Sequence, residues 1–298
     1  MNTVLSIIIL SYNTKDLTLA CLESIIKQYK NELERKKVEI IVVDNASQDE
    51  SFAFIKSQIS NLKSQSYNSK FKIIENDKNV GFAKGCNIGA KNVKGKYILF
   101  LNSDTEVLGR GFLKMIEFLD KNPKVAILGG KLHNADGTVQ PSAGKFYSLF
   151  NLIIMLLGLE RLGFLRSSPI KIQKVDWVSG ACMMVNREIF EKLSGFDEKL
   201  FMYMEDMEIC FRAKKLGFDT YFYPSLKLKH KSLGSSNRSF AIINIYKGIL
   251  HFYSKHKSRF EYEAAKTLLV AKAVILIFFG FITLNSALRD RYRKAIEF

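Results

Sequence analysis

No glycine occurs in the first 80 residues of the chain; the first is Gly81. A dinucleotide-binding fold needs G-x-G-x-x-G directly after its first strand, and a phosphate-binding P-loop needs G-x-x-x-x-G-K-[ST]. Both are excluded, so a nucleotide would have to be gripped without a glycine-rich loop after the first strand. Cysteine is sparse as well. Cys21, Cys86, Cys182 and Cys210 lie far apart, which excludes zinc or redox spacing and points to reduced, mostly buried thiols in a cytosolic chain. Acidic residues number 29 against 45 basic ones, a formal net charge of +16. That surplus favours an anionic partner: nucleic acid, a membrane surface or a phosphorylated ligand. The basic residues are dispersed, with no basic helix and no aromatic RNA-binding signature, so nucleic acid is not the expected partner. The opening segment MNTVLSIIILSYN lacks a basic leader and a small-residue cleavage site, so no signal peptide is expected. There is no internal repeat and no low-complexity linker. With 47% apolar and 25% charged residues over 298 positions, disorder and a polytopic membrane protein are excluded.

What is present begins with an alternation. Val4–Leu10, Val38–Val43, Phe71–Ile74 and Tyr97–Leu101 are short apolar runs that read as strands. Helical spacing separates them, over Leu17 to Ile26, Phe52 to Ile59 and Gly81 to Val93. Such alternation builds a parallel sheet with helices on both faces, and its ligand crevice lies beyond the carboxyl ends of the strands. The polar clusters Ser11-Tyr12-Asn13, Asp44-Asn45 and Asn102-Ser103-Asp104 all fall at such ends. The second half is less regular. Asn134-Ala135-Asp136-Gly137 reads as a hairpin tip, Lys174–Val178 and Thr220–Tyr223 as strands, the latter closed by Pro224, and Glu205–Leu216 as a helix. Tyr147 to Leu165 is apolar enough to cover the core or to touch lipid. From Ser239 onward only helical patterns remain.

The C-terminal segment pairs an apolar stretch with basic flanks. Ala273–Leu284 is 12 residues long, preceded by Lys266 and Lys272 and followed by Arg289, Arg291, Arg293 and Lys294. A spanning helix needs about 20 apolar residues. An interfacial helix, held by apolar burial and by attraction to anionic lipid, is the favoured expectation, with a core-packing helix whose basic end is solvated and a spanning helix as the alternatives.

Three features carry chemistry. Asp104 follows a strand, where a carboxylate can reach a divalent ion on a diphosphate; hard oxygen ligands suit magnesium or manganese. Glu205 and Asp206 are adjacent at a helix start and point in different directions, so one can face a cleft. His230 follows the last strand and can return to a metal. Each has a bland alternative: a helix cap, acids stabilising a helix dipole, a packing histidine.

In order along the chain, these features resemble the inverting family 2 glycosyltransferases of the GT-A fold, in particular the bacterial rhamnosyltransferase-like branch. The similar stretches are Ser6–Asn13, EIIVVDNASQDES (Glu39–Ser51), NVGFAKGCNIG (Asn79–Gly89), YILFLNSDTE (Tyr97–Glu106), WVSGACMMV (Trp177–Val185) and GFDEKLFMYMEDMEICFR (Gly195–Arg212). His230 with Gly234-Ser235-Ser236 completes the set. The resemblance covers about residues 3–237 and implies an α/β fold with a mostly parallel central sheet flanked by helices. A GT-A domain over 1–237 is then followed by a helical C-terminal extension over 238–298.

The resemblance further implies that Asp44 binds the nucleotide base, with Ser11, Tyr12 and Asn13 in the same pocket; a carboxylate there can accept the N3–H of uracil or thymine. Asn79, Gly81, Lys84 and Asn102 would line the nucleotide, and Lys84 could neutralise a phosphate. Asp104 would hold Mn2+ or Mg2+, with His230 as its companion. Asp206 would be the general base with Glu205 beside it, and Trp177, Gly180 and Ala181 would face the sugars. An acceptor hydroxyl then attacks the anomeric carbon as the nucleoside diphosphate leaves from the opposite face. The donor would be dTDP-linked, such as dTDP-rhamnose, or UDP-linked, and the acceptor a lipid-linked or cell-surface glycan, with the enzyme peripheral on the inner face of the cell membrane. The usual metal motif begins with Asp where this chain has Asn102, which removes one charge and implies modest metal affinity without nucleotide. The rival readings are a nucleotidyltransferase, disfavoured by the missing early glycines, and a non-catalytic glycan- or nucleic-acid-binding protein on the same fold.

Overall fold

The computed structural model describes residues 3–63, 71–163, 165–231 and 237–297. The apolar runs of the first half form β1 (Leu5–Ser11), β2 (Val38–Asp44), β3 (Phe71–Glu75) and β4 (Tyr97–Asn102), joined through α1 (Lys15–Glu34), α2 (Ser51–Lys63) and α3 (Phe82–Ala90). They lie side by side in the order β3-β2-β1-β4, all parallel. Side chains alternate between the faces of a strand, so the continuous apolar runs feed two layers at once. Leu5, Ile7 and Ile9 pack with Ile40, Leu99 and α1, while Ile8, Ile41 and Phe100 pack in the opposite layer. This two-sided burial is why these strands read as unbroken apolar runs.

The sheet continues with β5 (Thr105–Val107), then α4 (Gly111–Lys121), β6 (Val125–His133), β7 (Val139–Gln140), β8 (Ala143–Gly144), α5 (Leu149–Leu156), β9 (Arg166–Ser167), β10 (Gln173–Val175), β11 (Trp177–Val178), β12 (Cys182–Asn186), α6 (Arg187–Lys192), α7 (Glu205–Lys215) and β13 (Asp219–His230). Among the described residues the strand order is β10-β13-β6-β12-β4-β1-β2-β3, with β5 on β13 and β7 on β6; β11, β8 and β9 form a separate small sheet. The hairpin expected at Asn134–Gly137 joins β6 to β7, closed by the Asn134 N–H donating to the Thr138 carbonyl at 2.8 Å. All four cysteines are buried and free, and burial pushes the Cys21 and Cys182 thiols up to about 12.

Two strand expectations are corrected. Lys174–Val178 is not one strand: the chain changes sheets at Asp176, β10 pairing with β13 and β11 with β8, and the Asp176 carboxylate accepts the Phe146 N–H at 3.1 Å. Nor does Pro224 close the last strand. A register irregularity between Tyr223 and Lys227 accommodates it, since proline is tolerated where ladder bonding is interrupted. β13 then runs on to His230, pairing with β5 so that His230 lies opposite Thr105.

The C-terminal helices α8 (Arg238–His256), α9 (Arg259–Ile282) and α10 (Ser286–Ala295) join the same apolar layer as Phe100 and Trp177 through Ile249, Phe252, Leu269 and Tyr292. A charged knot anchors α8 on α7. Glu208 on α7 is fully buried; Arg212 donates to it from one helical turn on, and Lys255 and His256 of α8 reach it at 2.8 and 2.9 Å. Burial alone would raise the Glu208 carboxyl, but hydrogen bonds from His256, Arg212 and Lys255 bring it down to about 2. A depressed carboxyl stabilises the fold above its ordinary value of 4.5, and that stability is lost as pH falls towards about 2. Glu208→Gln removes the buried carboxylate that Arg212, Lys255 and His256 share, which costs about 3 kcal/mol. Thermal unfolding is expected to show a midpoint several degrees lower and a weaker acid dependence between about pH 5 and pH 2 than wild type, following the lost carboxyl titration; an unchanged midpoint would remove the knot's structural role.

Candidate active site

The carboxyl ends of β1, β2 and β4 open onto a cleft of about 900 Å³. Its rim includes Tyr12, Asn45, Asn79, Gly81, Asn102 and Asp104 on one side, and Trp177, Gly180, Ala181, Glu205, Asp206 and His230 on the other. Eleven of the residues implied by the resemblance therefore share one cavity. Ser11, Asn13, Asp44 and Lys84 are not on its lining. Ser11 is buried beneath it, its hydroxyl 3.2 and 3.1 Å from those of Thr14 and Thr18. The Asp44 carboxylate accepts the Ser47 N–H and hydroxyl at 2.9 and 2.7 Å, and Asn13 accepts the Gln48 N–H at 2.7 Å. These residues build the loop behind the cleft in this conformation. Lys84 pairs instead with Glu198 at 3.6 Å, both half exposed. Gly234-Ser235-Ser236 lie outside the described residues.

Asn45, next to Asp44, supports the wall. Its amide donates to Asn79 Oδ1 at 2.8 Å and its oxygen accepts from Asn76 and the Val80 N–H at 3.0 and 3.1 Å. Gly81 begins α3 at φ 84°, with the Phe201 carbonyl 2.3 Å from where a Cβ would stand. Only glycine fits both the left-handed backbone and that approach.

The metal candidates come together as implied. Asp104 ends the β4 turn and His230 ends β13; their Oδ1 and Nε2 atoms are 3.2 Å apart, and Asn102 Nδ2 is 3.2 Å from the same Nε2. The other ring nitrogen, Nδ1, lies 2.8 Å from Gln140 Oε1 on β7. That contact suits Nδ1–H as donor to the Gln140 oxygen and turns Nε2 towards Asn102 and Asp104. A carboxylate oxygen and an imidazole nitrogen fit a divalent ion that takes its other ligands from a diphosphate and water. Among the described residues no cluster of three or more His, Cys, Asp or Glu forms a fuller cage. Gln140 escaped the sequence reading because nothing in its neighbourhood links it to a histidine 90 positions away.

The base candidate is held from two sides. Gly180 N–H donates to Asp206 Oδ2 at 3.2 Å and Met207 N–H to Oδ1 at 2.7 Å. Burial raises the Asp206 carboxyl, partly offset by those two N–H groups and by Arg166. Glu205 is pushed well above the carboxylate range by burial and then by Asp206's charge, and its Oε2 is buried without a hydrogen-bond partner. The two adjacent acids are thus held differently: burial keeps the proton on Glu205, whereas both Asp206 oxygens accept backbone N–H groups. Tyr203 and Met204, just ahead of them, both adopt left-handed backbone, at φ 70° and 72°. Such strain is sustained where packing fixes it, here at the entry to the acidic pair.

A family model described as glycosyl transferase family 2 matches residues 6–194. The chain belongs to glycosyl transferase family 2. The matched span holds Asp44, Asn102, Asp104 and Trp177, and stops short of Asp206 and His230. Among its relatives, the N-acetylglucosaminyl-diphospho-decaprenol L-rhamnosyltransferase of Mycobacterium tuberculosis is 28% identical over 182 residues, 56% of this chain and 55% of that protein. Rhamnosyltransferase WbbL of Escherichia coli is 30% identical over 203 residues, 63% of this chain and 72% of that one. The chain thus spans about half the length of the mycobacterial relative. Mannosyltransferase PcManGT of Pyrobaculum calidifontis, solved with GDP-Man and Mn2+, superposes with a TM-score of 0.60 at 15% identity, covering 99% of this chain and 86% of that one. GalNAc-T7, solved with UDP, GalNAc and Mn2+, superposes with a TM-score of 0.62 at 17% identity, covering 85% and 50%. The mixed sheet of this family 2 chain is that of GT-A transferases.

With only Asp104 and His230 as ionisable ligands, manganese is expected to bind weakly alone and at least tenfold more tightly with a nucleoside diphosphate. Calorimetric titration checks this; tight binding without nucleotide would contradict a site completed by diphosphate oxygens.

Proposed function

We propose that the chain is an inverting, metal-assisted glycosyltransferase that moves a sugar from a dTDP- or UDP-linked donor to a hydroxyl of a lipid-linked or cell-surface glycan. The observation that carries this reading is that the Asp104–His230 pair and the doubly anchored Asp206 line one cleft. The names of the mycobacterial and E. coli relatives support a rhamnosyl donor. Asp104 and His230 would hold Mn2+ or Mg2+, which when bound stabilises the negative charge gathering on the leaving diphosphate. Asp206 takes the acceptor hydroxyl's proton as that oxygen bonds to the anomeric carbon. The sugar–phosphate bond breaks on the opposite face, so the anomeric centre inverts without a protein nucleophile. Gly180 and Met207 keep the accepting carboxylate aimed, and Glu205 completes the wall in its protonated form.

Asp206→Asn is expected to lower kcat by about 10²–10⁴-fold while leaving nucleotide affinity, read by thermal shift, within twofold. Wild-type activity should fall on the acid side with a midpoint above the ordinary 3.8 of an aspartate, because protonation removes the base. Unaltered kcat in the variant would move the base elsewhere.

We further propose that the enzyme acts at a membrane surface through α9. Its 24 residues are long and apolar enough to cross a membrane by length and composition, which exceeds what the 12-residue run alone suggests. Its packing is the inverse of a soluble helix. Small residues, Ala265, Ala273 and Gly280, face inward with Leu269, whereas Val274, Ile275, Phe278, Phe279 and Ile282 face out. Arg289 and Arg293 of α10 lie over Phe281 at 4.7 and 5.7 Å. An apolar face beside cations suits an anionic membrane surface on the cytosolic side. The double variant Phe278→Glu, Phe279→Glu is expected to lose at least tenfold in binding to anionic vesicles with its fold retained, since both rings are exposed; unchanged sedimentation with vesicles would exclude this face.

A further inference from the structure

A neutral imidazole carries one ring N–H and one lone pair, and the partner of one nitrogen decides the state of the other. His230 has a partner on each side. Its Nδ1 lies 2.8 Å from Gln140 Oε1, an oxygen that can only accept. Its Nε2 lies 3.2 Å from Asn102 Nδ2, an amide nitrogen that can only donate. The two amides therefore select the same tautomer, with the proton on Nδ1 and the lone pair on Nε2. Asp104 Oδ1, also 3.2 Å from Nε2, is an acceptor and on its own would draw the proton to Nε2. That opposite form could not ligate a metal through Nε2. An aspartate at position 102 would add a second acceptor on that side, so the asparagine there works with Gln140. The placement of Gln140 is itself built. β7 pairs with β6 so that Gln140 lies opposite Leu132. In the hairpin before it, Asp136 Oδ1 accepts the Thr138 N–H and hydroxyl at 2.9 and 2.6 Å. Pro141 follows and confines Gln140 to extended backbone. Ser142 then donates its N–H to the Ser167 carbonyl at 3.2 Å and its hydroxyl to the Gly130 carbonyl at 3.0 Å. Gln140 is fixed from both ends while it lines the cleft.

We propose that Gln140 is a positioning residue for the cation site: it holds the His230 proton on Nδ1, so that Nε2 presents its lone pair beside Asp104. The inference rests on the metal-assisted transferase reading for its purpose, whereas the tautomer can be observed without metal, nucleotide or turnover. Gln140 acts through His230. Partners of this kind, which orient a ligating histidine from its far nitrogen, govern metal affinity by about 10–100-fold.

The test uses the full-length chain labelled with 15N in its four histidines. Nitrogen–proton correlation spectra at about pH 8, where a free imidazole is neutral, report the tautomer of each ring, and His230→Gln assigns the signal. Wild type should carry the His230 proton on Nδ1. Gln140→Leu should move it to Nε2, whereas Gln140→Glu, whose oxygens likewise accept, should keep it on Nδ1. Calorimetric titration of Mn2+ with saturating UDP or dTDP gives the second readout. Gln140→Leu should weaken Mn2+ by about 10–100-fold and Gln140→Glu by less, with metal-free nucleotide binding unchanged in both. A wild-type proton on Nε2 overturns the proposal, as does a Gln140→Leu variant that keeps the proton on Nδ1 or binds Mn2+ like wild type. An equal loss of metal-free nucleotide binding in Gln140→Leu would make Gln140 a direct ligand contact and overturn the positioning role. Val139→Ala, on the exposed neighbour in β7, controls for damage to the strand, and melting of every variant controls for loss of fold; a matching Mn2+ loss in Val139→Ala assigns the effect to the strand and overturns the proposal. The expected tautomer in a wild type that binds Mn2+ with neither nucleotide would sink the metal-assisted reading. Nucleotide-dependent Mn2+ binding with the proton on Nε2 would sink the proposal alone.

Discussion

A single buried carboxylate holds the two halves of the molecule in register. Glu208 draws one cation from its own helix and a lysine and a histidine from α8, and Asp206 lies two residues earlier in the first turn of the same α7. Arg212, while held by Glu208, also donates to the carbonyls of Leu193 and Gly195, the turn after α6. Asp197, in the next turn, is shared by His251 and Lys255 at 2.7 Å each. The helix that presents Asp206 is therefore braced by the loop before it and by the C-terminal helix behind it. An ion cluster of this kind gives less net stability than an apolar packing of equal volume, but it fixes geometry, because misplacing any member leaves a buried charge alone.

The parallel half of the fold was legible in the sequence because its strands are buried on both faces and its polar clusters fall at strand ends. Asp104, Asp206 and His230 could be placed because each follows a recognisable element and the six motifs occur in order. What escaped was set by tertiary context. β6 contains Gly129 and Gly130, poor strand formers by composition; a Cβ at Gly129 would stand 2.3 Å from that of Val178 and collide with it. Pro224 looked like a stop because only the partner strands reveal the irregularity that absorbs it. Gln140 and Arg166 sit on two-residue strands, too short to carry a periodic signal.

The cleft and the apolar helix belong to one device. α5 and α8 wall the cleft, α9 lies against both, and the outward face of α9 carries the large apolar side chains that its inward face gives up. The small residues inside permit close helix packing, with Gly280 set against Arg289 of α10, whose Cγ lies 2.7 Å from where a Cβ on Gly280 would stand.

The extension of β13 past Pro224 has a bearing on how the molecule comes into being. Asn102 and His230 are separated by 128 positions, and they meet only after β13 has paired with β6 and β5. Chain synthesis proceeds from the N-terminus, and domains form as their segments emerge. A nascent chain that has finished β4 already owns the parallel strands and the loop behind the cleft, yet the histidine that Asp104 faces does not exist. Contacts of such long sequence separation form late because loop closure must precede their reward. The meeting of Asp104 and Asn102 with His230 is therefore deferred until nearly the whole sheet is complete, and a truncated product ending before the last strand lacks that contact altogether.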